Sequence, residues 1–138
     1  MDIFEAINNS KKVICGKACN EETINLCQKR LCAYGVAPMP ISYIDFLCKI
    51  NGVTGDGISL FGVGVAGLFD DVFTKNSVTQ ELSNHRIFLG ENLTEFLCYE
   101  WNQKAYIIIS KSDSKEEKNF VSLNEALIYM LREYNDKT

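Results

Sequence analysis

This sequence has neither a long apolar run nor an excess of basic residues, the features on which membrane-spanning and nucleic-acid-binding proteins depend. No apolar run approaches the roughly 20 residues of a membrane-spanning helix. Basic residues do not predominate either, because 14 Lys and Arg stand against 18 Asp and Glu, which leaves a formal net charge of −4. Phosphate binding needs a face rich in Lys and Arg. The charge balance therefore argues against a nucleic-acid partner and permits a basic protein partner.

The signs of export and of a disulfide framework are also missing. The first five residues are acidic overall and do not show the basic-then-apolar pattern of a secretory signal. We therefore expect a cytoplasmic location. The six cysteines fall well below the roughly 8–10% of residues that marks a disulfide scaffold. In the cytoplasm they are expected to be reduced thiols.

The length and composition are those of an ordinary globular protein. The chain has 138 residues, of which 46% are hydrophobic and 23% charged. We expect a single domain over residues 1–138 with a modest hydrophobic core.

Residues 38–52 are predicted to form a short, strongly apolar helix. Pro40 suits the first turn, where its missing N–H has no consequence. Ile44, Leu47 and Ile50 lie three residues apart and form one apolar face. Asn51-Gly52 tolerates positive φ and is predicted to end the helix. Such a helix is expected to pack against the core.

The remaining pattern predicts an α+β fold. Asn20 is a good N-cap for a helix that ends at Gly35, and Ser122 with Glu125 forms a capping box before a closing helix over residues 123–134. Residues 68–82 show no clean period and are interpreted as a loop with at most a helical turn. From Arg86 onward the pattern predicts a twisted antiparallel meander, with N-terminal helices and the C-terminal helix packed on the sheet. Its strands are predicted at residues 86–89, 94–101, 104–110 and 120–121.

This order of elements resembles the SUKH superfamily, which includes fungal cell-wall-assembly regulators and bacterial proteins that neutralise toxins. The resemblance covers residues 20–134 and depends on short motifs. They are Pro40-x-x-Tyr43-x-x-Phe46-Leu47-x-x-x-Asn51-Gly52, Leu60-Phe61-Gly62, Ile87-Phe88-Leu89-Gly90-Glu91, Phe96-Leu97-Cys98-Tyr99, and Phe120 before the last helix. Many members carry Gly-Asp where this chain has Thr94-Glu95. The resemblance implies helices around an antiparallel sheet, no catalytic residues, and a surface that binds a partner.

Three patterns suggest other chemistry. Gly62, Gly64 and Gly67 match G-x-G-x-x-G after a predicted strand, which is typical of a dinucleotide site when the loop opens a helix. The spacing of four cysteines permits tetrahedral zinc, although Cys27 also belongs to the apolar stripe of a helix. The sole histidine, His85, has no nucleophile at a recognisable spacing, and we interpret it as a surface residue. The four cysteines are Cys15, Cys19, Cys27 and Cys32.

We predict a protein-binding domain without catalytic residues, cofactor or metal. The resemblance favours an immunity protein whose partner is a basic toxin domain, with a nuclease as one candidate. Acidic side chains in turns and at strand starts are predicted to form the binding patch, because they would match a surface built for phosphates. A regulatory interaction module of the same fold and a small nucleotide-binding enzyme that uses the loop from Gly62 to Gly67 are the alternatives. The predicted patch consists of Asp56, Asp70, Asp71, Glu91 and Glu95.

Overall fold

A computed structural model describes residues 2–9, 13–55, 57–78 and 85–136. Within these ranges the chain forms five helices and one seven-stranded sheet. The helices are α1 (Ile3–Asn9), α2 (Glu21–Tyr34), α3 (Ile41–Leu47), α4 (Val72–Ser77) and α5 (Leu123–Asp136). The strands are β1 (Val13–Cys15), β2 (Val53–Gly55), β3 (Ile58–Leu60), β4 (Arg86–Glu91), β5 (Glu95–Glu100), β6 (Ala105–Ser110) and β7 (Glu116–Phe120).

The sheet is an antiparallel meander, as the sequence predicts. Its spatial order is the chain order from β1 to β7, and every described neighbouring pair is antiparallel. Helix α5 packs against β3, β6 and β7, and α1 packs against α5. The predicted α+β class, with N-terminal helices and a C-terminal helix packed on the sheet, is therefore confirmed.

Helix α2 forms where its capping residues predict it. The side chain of Asn20 accepts a hydrogen bond of 2.9 Å from the Thr23 amide and so satisfies one free N–H of the first turn. Gly35 ends the helix in the left-handed region at φ +92°, which a residue without a Cβ adopts at no steric cost. Ile24, Cys27 and Leu31 form the buried stripe.

The segment 38–52 joins several elements, although its helix is shorter than predicted. Helix α3 covers seven residues and ends at Leu47, and the chain continues as a turn through Cys48 and Lys49. Tyr43 is fully buried, and its hydroxyl donates to the carbonyl oxygen of Phe61 and lies 3.0 Å from that of Leu89. The indole N–H of Trp101 donates to the Pro38 carbonyl over 2.9 Å. These bonds tie the segment to the ends of β3, β4 and β5.

Several boundaries differ from the sequence prediction. Residues 72–77, interpreted as loop, form α4, and residues 53–55 form β2. The last strand begins at Glu116 rather than near Phe120. The hairpin between β5 and β6 turns over residues 101–104, because Glu100 pairs with Ala105 and Lys104 adopts φ +51°. A charged edge strand and a short capped helix leave no apolar period, which explains why the pattern missed them.

Candidate protein-binding surface

The loop that follows β3, residues 62–71, contains three glycines and is called the glycine loop. Contacts from Asn51 and Asp71 close it at its base. The Asn51 side chain brackets Val63, donating to its carbonyl oxygen over 2.9 Å and accepting from its amide over 2.7 Å. A Cβ on Gly62 would lie 2.7 Å from the Asn51 carbonyl oxygen, so this close approach requires glycine. Gly62 also forms a bridge with Asp71. The loop therefore returns to its own starting point.

This geometry differs from that of a dinucleotide site. A dinucleotide-binding glycine loop opens a crossover helix that leads to a parallel strand. Here β3 and the next strand, β4, are antiparallel, and α4 begins at Val72 after the loop has closed. The alternative interpretation of Gly62, Gly64 and Gly67 as a nucleotide-binding motif is therefore wrong for the described fold. The glycines serve close approach and positive φ, which is +65° at Gly64 and +72° at Gly67.

The structure does not place the predicted acidic residues together as a free acidic patch. The Asp71 carboxylate caps α4, accepting from the Thr74 amide over 2.9 Å and from the Gly64 amide over 2.8 Å. Asp70 accepts a hydrogen bond of 2.6 Å from the Ser59 hydroxyl. Both carboxylates are therefore engaged in holding the loop. Asp56 lies outside the described residues.

Glu91 and Glu95 also differ from the prediction. The two carboxylate oxygens of Glu91 each lie 2.7 Å from a lysine ammonium, that of Lys111 on one side and that of Lys75 on the other. Lys75 reaches toward Asp70 as well, at 4.0 Å. Glu95 is only 5% exposed, so it cannot contribute to an exposed charged surface. Of the predicted patch, Asp70 and Glu91 therefore lie beside lysines, Asp71 is a helix cap and Glu95 is buried.

We expect the Glu91 ion pairs to make stability depend on pH. Partial burial acts to raise the pKa of Glu91, but hydrogen bonds and charges from Lys111 and Lys75 outweigh it and lower this pKa. The resulting stabilisation is complete above the ordinary carboxyl pKa of about 4.3 and is lost as the pH falls through the lower folded-state value. The difference in unfolding free energy between wild type and Glu91→Gln should therefore shrink on acidification in urea titrations. The control is Glu116→Gln on the exposed strand β7, which should change the unfolding free energy by no more than about 0.5 kcal/mol. A pH-independent Glu91→Gln difference would contradict this expectation.

The outer face of α2 presents a stripe that sequence analysis did not identify. Leu26, Arg30 and Tyr34 lie four residues apart and therefore share one side of the helix. Leu26 is 62% exposed and Tyr34 is 46% exposed. The Arg30 guanidinium lies 4.0 Å from the centroid of the Phe73 ring in α4, and the Tyr34 ring meets the same ring edge-on at 5.6 Å. Aromatic and arginine side chains held in this way are typical of interface anchors.

Two exposed aliphatic residues lie in the segments that adjoin this stripe. Val78 directly follows α4, and Leu68 projects from the glycine loop; they are 72% and 71% exposed. The loop contacts the start of α2, because a Cβ on Gly64 would lie 3.5 Å from the Thr23 methyl group. We call Leu26, Arg30, Tyr34, Leu68, Phe73 and Val78 the α2–α4 face. It combines an apolar surface with a stacked guanidinium, which suits protein binding rather than bond chemistry.

One sequence signal could have identified this face. Leu26 lies off the buried stripe of Ile24, Cys27 and Leu31, so helical spacing alone places this leucine on the outer face of α2. Tyr34 follows Leu31 by three residues and so has the spacing of the buried stripe, but its side chain is half exposed. Its ring packs on α4, a helix that the sequence pattern did not predict.

The other candidate residues have clear positions. His85 Nδ1 lies 2.9 Å from Glu100, and its side chain is 45% exposed, which agrees with a surface position. Tyr99 and Trp101 pack together edge-on at 5.0 Å against the main core. Cys27 is buried in the α2 stripe. The described residues contain no group of three His, Cys, Asp or Glu side chains arranged to hold a metal ion.

Two comparisons with known proteins, by family model and by sequence, bear on the identity of the chain. No protein-family model matches the chain, and no curated protein matches it either. Within the described part of the chain, each helix is too short or too polar to cross a bilayer.

Proposed function

We propose that this chain is a non-enzymatic, cytoplasmic binding domain that neutralises a bacterial toxin, as the SUKH resemblance implies. The α2–α4 face is the proposed contact surface, and it is the observation that carries the proposal. Rigid aromatic and arginine side chains bordered by exposed aliphatic residues provide contact area with little loss of side-chain entropy.

The residues of the resemblance support this proposal as parts of a scaffold. Tyr43 bridges two strand ends through its hydroxyl, and Asn51 clamps the backbone of Val63 at the base of the glycine loop. Such contacts hold loops and helices in place rather than perform chemistry. A fixed loop beside a fixed helix is the arrangement in which binding residues are typically found.

The charge of the surface refines the expected partner. The net charge of −4 still favours a basic toxin domain, of which a nuclease is one example. Because Lys75 and Lys111 offset Glu91 locally, affinity should depend mainly on apolar contacts and only weakly on salt. Apolar contact at the α2–α4 face, rather than electrostatic steering by an acidic patch, is therefore the proposed basis of binding.

The test is co-expression with a toxin domain, taken from the adjacent gene where that gene encodes one. We expect the chain to restore growth of cells that express this toxin domain, and the purified pair to elute as one complex. Binding without protection would favour a regulatory interaction module instead. If the chain neither protects the cells nor binds the toxin domain, the proposed function is wrong.

A further inference from the structure

A second concave site lies away from the α2–α4 face, where the start of β5, the end of β6 and α5 meet. It has a volume of about 500 Å³, within the range of small-ligand pockets. We call it the Glu95 pocket. Among the residues that line it are Thr94, Glu95, Ser110, Lys111, Ser112 and Tyr129.

The floor of this pocket carries a buried carboxylate without a cationic partner. Glu95 is 5% exposed. Its Oε1 accepts a hydrogen bond of 3.1 Å from the side-chain amide of Asn92, and its Oε2 accepts one of 3.2 Å from the Tyr129 hydroxyl. Up to Leu131, the described ion pairs leave out Glu95: each of them involves Asp70, Glu91 or Glu100 instead. Buried charges in proteins are normally paired with an opposite charge.

The backbone around Glu95 is held rigidly. The side-chain oxygen of Asn92 accepts hydrogen bonds from the backbone amides of Thr94 and Glu95 at 3.0 and 2.7 Å. The backbone N–H of Asn92 donates to the Glu95 carbonyl oxygen at 2.9 Å. Each carboxylate oxygen of Glu95 accepts one hydrogen bond, whereas a carboxylate offers about four acceptor positions. The floor is therefore preorganised and keeps capacity for further donors.

The walls of the pocket favour a cation over an anion. The Lys111 ammonium is paired with Glu91 at 2.7 Å, so its charge is largely offset. Ser110 and Ser112 place their hydroxyl oxygens 2.9 Å apart at the rim, where they can accept hydrogen bonds from a ligand. The Lys118 ammonium lies 5.6 Å from the Tyr129 ring centroid and therefore faces an aromatic ring.

We propose that the Glu95 pocket binds the head group of an aliphatic amine or guanidinium, with the Glu95 carboxylate as its counter-ion. The ligand reaches the carboxylate from the open side and leaves the bonds from Asn92 and Tyr129 in place. Either a basic side chain of a protein or a free small amine provides this chemistry. The site does not depend on toxin binding.

The test is a titration with butylammonium and ethylguanidinium chloride, followed by amide chemical shifts in ¹H–¹⁵N NMR spectra. We expect saturable shifts at Thr94, Glu95 and residues 110–112, and no comparable shifts with sodium butyrate. Glu95→Gln preserves the side-chain shape, and its folding is checked in the same spectra. Because a charge-assisted hydrogen bond is lost, the affinity of this variant should fall about tenfold or more.

A second variant keeps the test decisive if Glu95→Gln does not fold. Ser112→Lys places a cation at the rim and should abolish the shifts, whereas Ala33→Lys, which adds the same charge on α2, should not. A lysine peptide with blocked termini that binds as well as butylammonium would identify a protein side chain as the natural ligand, and weaker peptide binding would identify a small amine. Equal cation binding by wild type and Ser112→Lys, or a preference for butyrate, would overturn the proposal.

Discussion

We expect the Leu127→Ala substitution to lower the free energy of unfolding by about 2–5 kcal/mol. Leu127 is fully buried on α5, among the apolar residues that this helix packs against the sheet. Removing its isobutyl group leaves a cavity that the surrounding residues fill only in part. Urea denaturation followed by circular dichroism measures this effect.

A matched substitution at the surface provides the control. Leu93 is 78% exposed, so Leu93→Ala should change the unfolding free energy by no more than about 0.5 kcal/mol. If Leu127→Ala lowers the unfolding free energy no more than Leu93→Ala does, the description of α5 as packed on the sheet through Leu127 is wrong.

The second large effect is expected at the α2–α4 face. Leu26→Asp should weaken binding of the toxin domain about 30-fold or more, which corresponds to the roughly 2 kcal/mol of an interface hot spot. The aspartate would have to be desolvated against an apolar contact, and at this spacing it would also attract Arg30 away from the Phe73 ring. Isothermal titration calorimetry with the purified toxin domain measures the change.

The control for this substitution is Ile41→Asp at the start of α3. Ile41 is 74% exposed, so both variants replace a similarly accessible aliphatic residue with the same charged one. Ile41→Asp should bind like the wild type. Equal weakening by both variants would point to a general effect of charge, and no weakening by Leu26→Asp would remove α2 from the interface.

The two long helices are predictable because local signals agree along their whole length. The Asn20 cap, the buried stripe of α2 and the Gly35 stop all appear in the structure. The Ser122 hydroxyl accepts from the Glu125 amide at 3.3 Å, as the capping box predicts, although this bond is long. Caps and helical spacing are local features, so one sequence is sufficient to identify them.

The charged residues are less predictable, because their roles depend on distant partners. Asp71 is a helix cap only because α4 follows it, and Glu91 is neutralised by Lys111, which lies 20 residues later in the chain. Glu95 lies two residues before the core residue Leu97 and so shares its buried face of β5, where it bonds to Asn92 and Tyr129. An acidic side chain in a turn therefore does not by itself predict an acidic surface.

Amide hydrogen exchange of the chain, alone and in complex with the toxin domain, tests the central claim most directly. We predict slower exchange in the complex at α2, at α4 and in residues 62–71, with no change along the exposed edge strand β7. Protection confined to β7 or to the Glu95 pocket, with α2 and α4 unchanged, would contradict the assignment of the α2–α4 face as the binding surface.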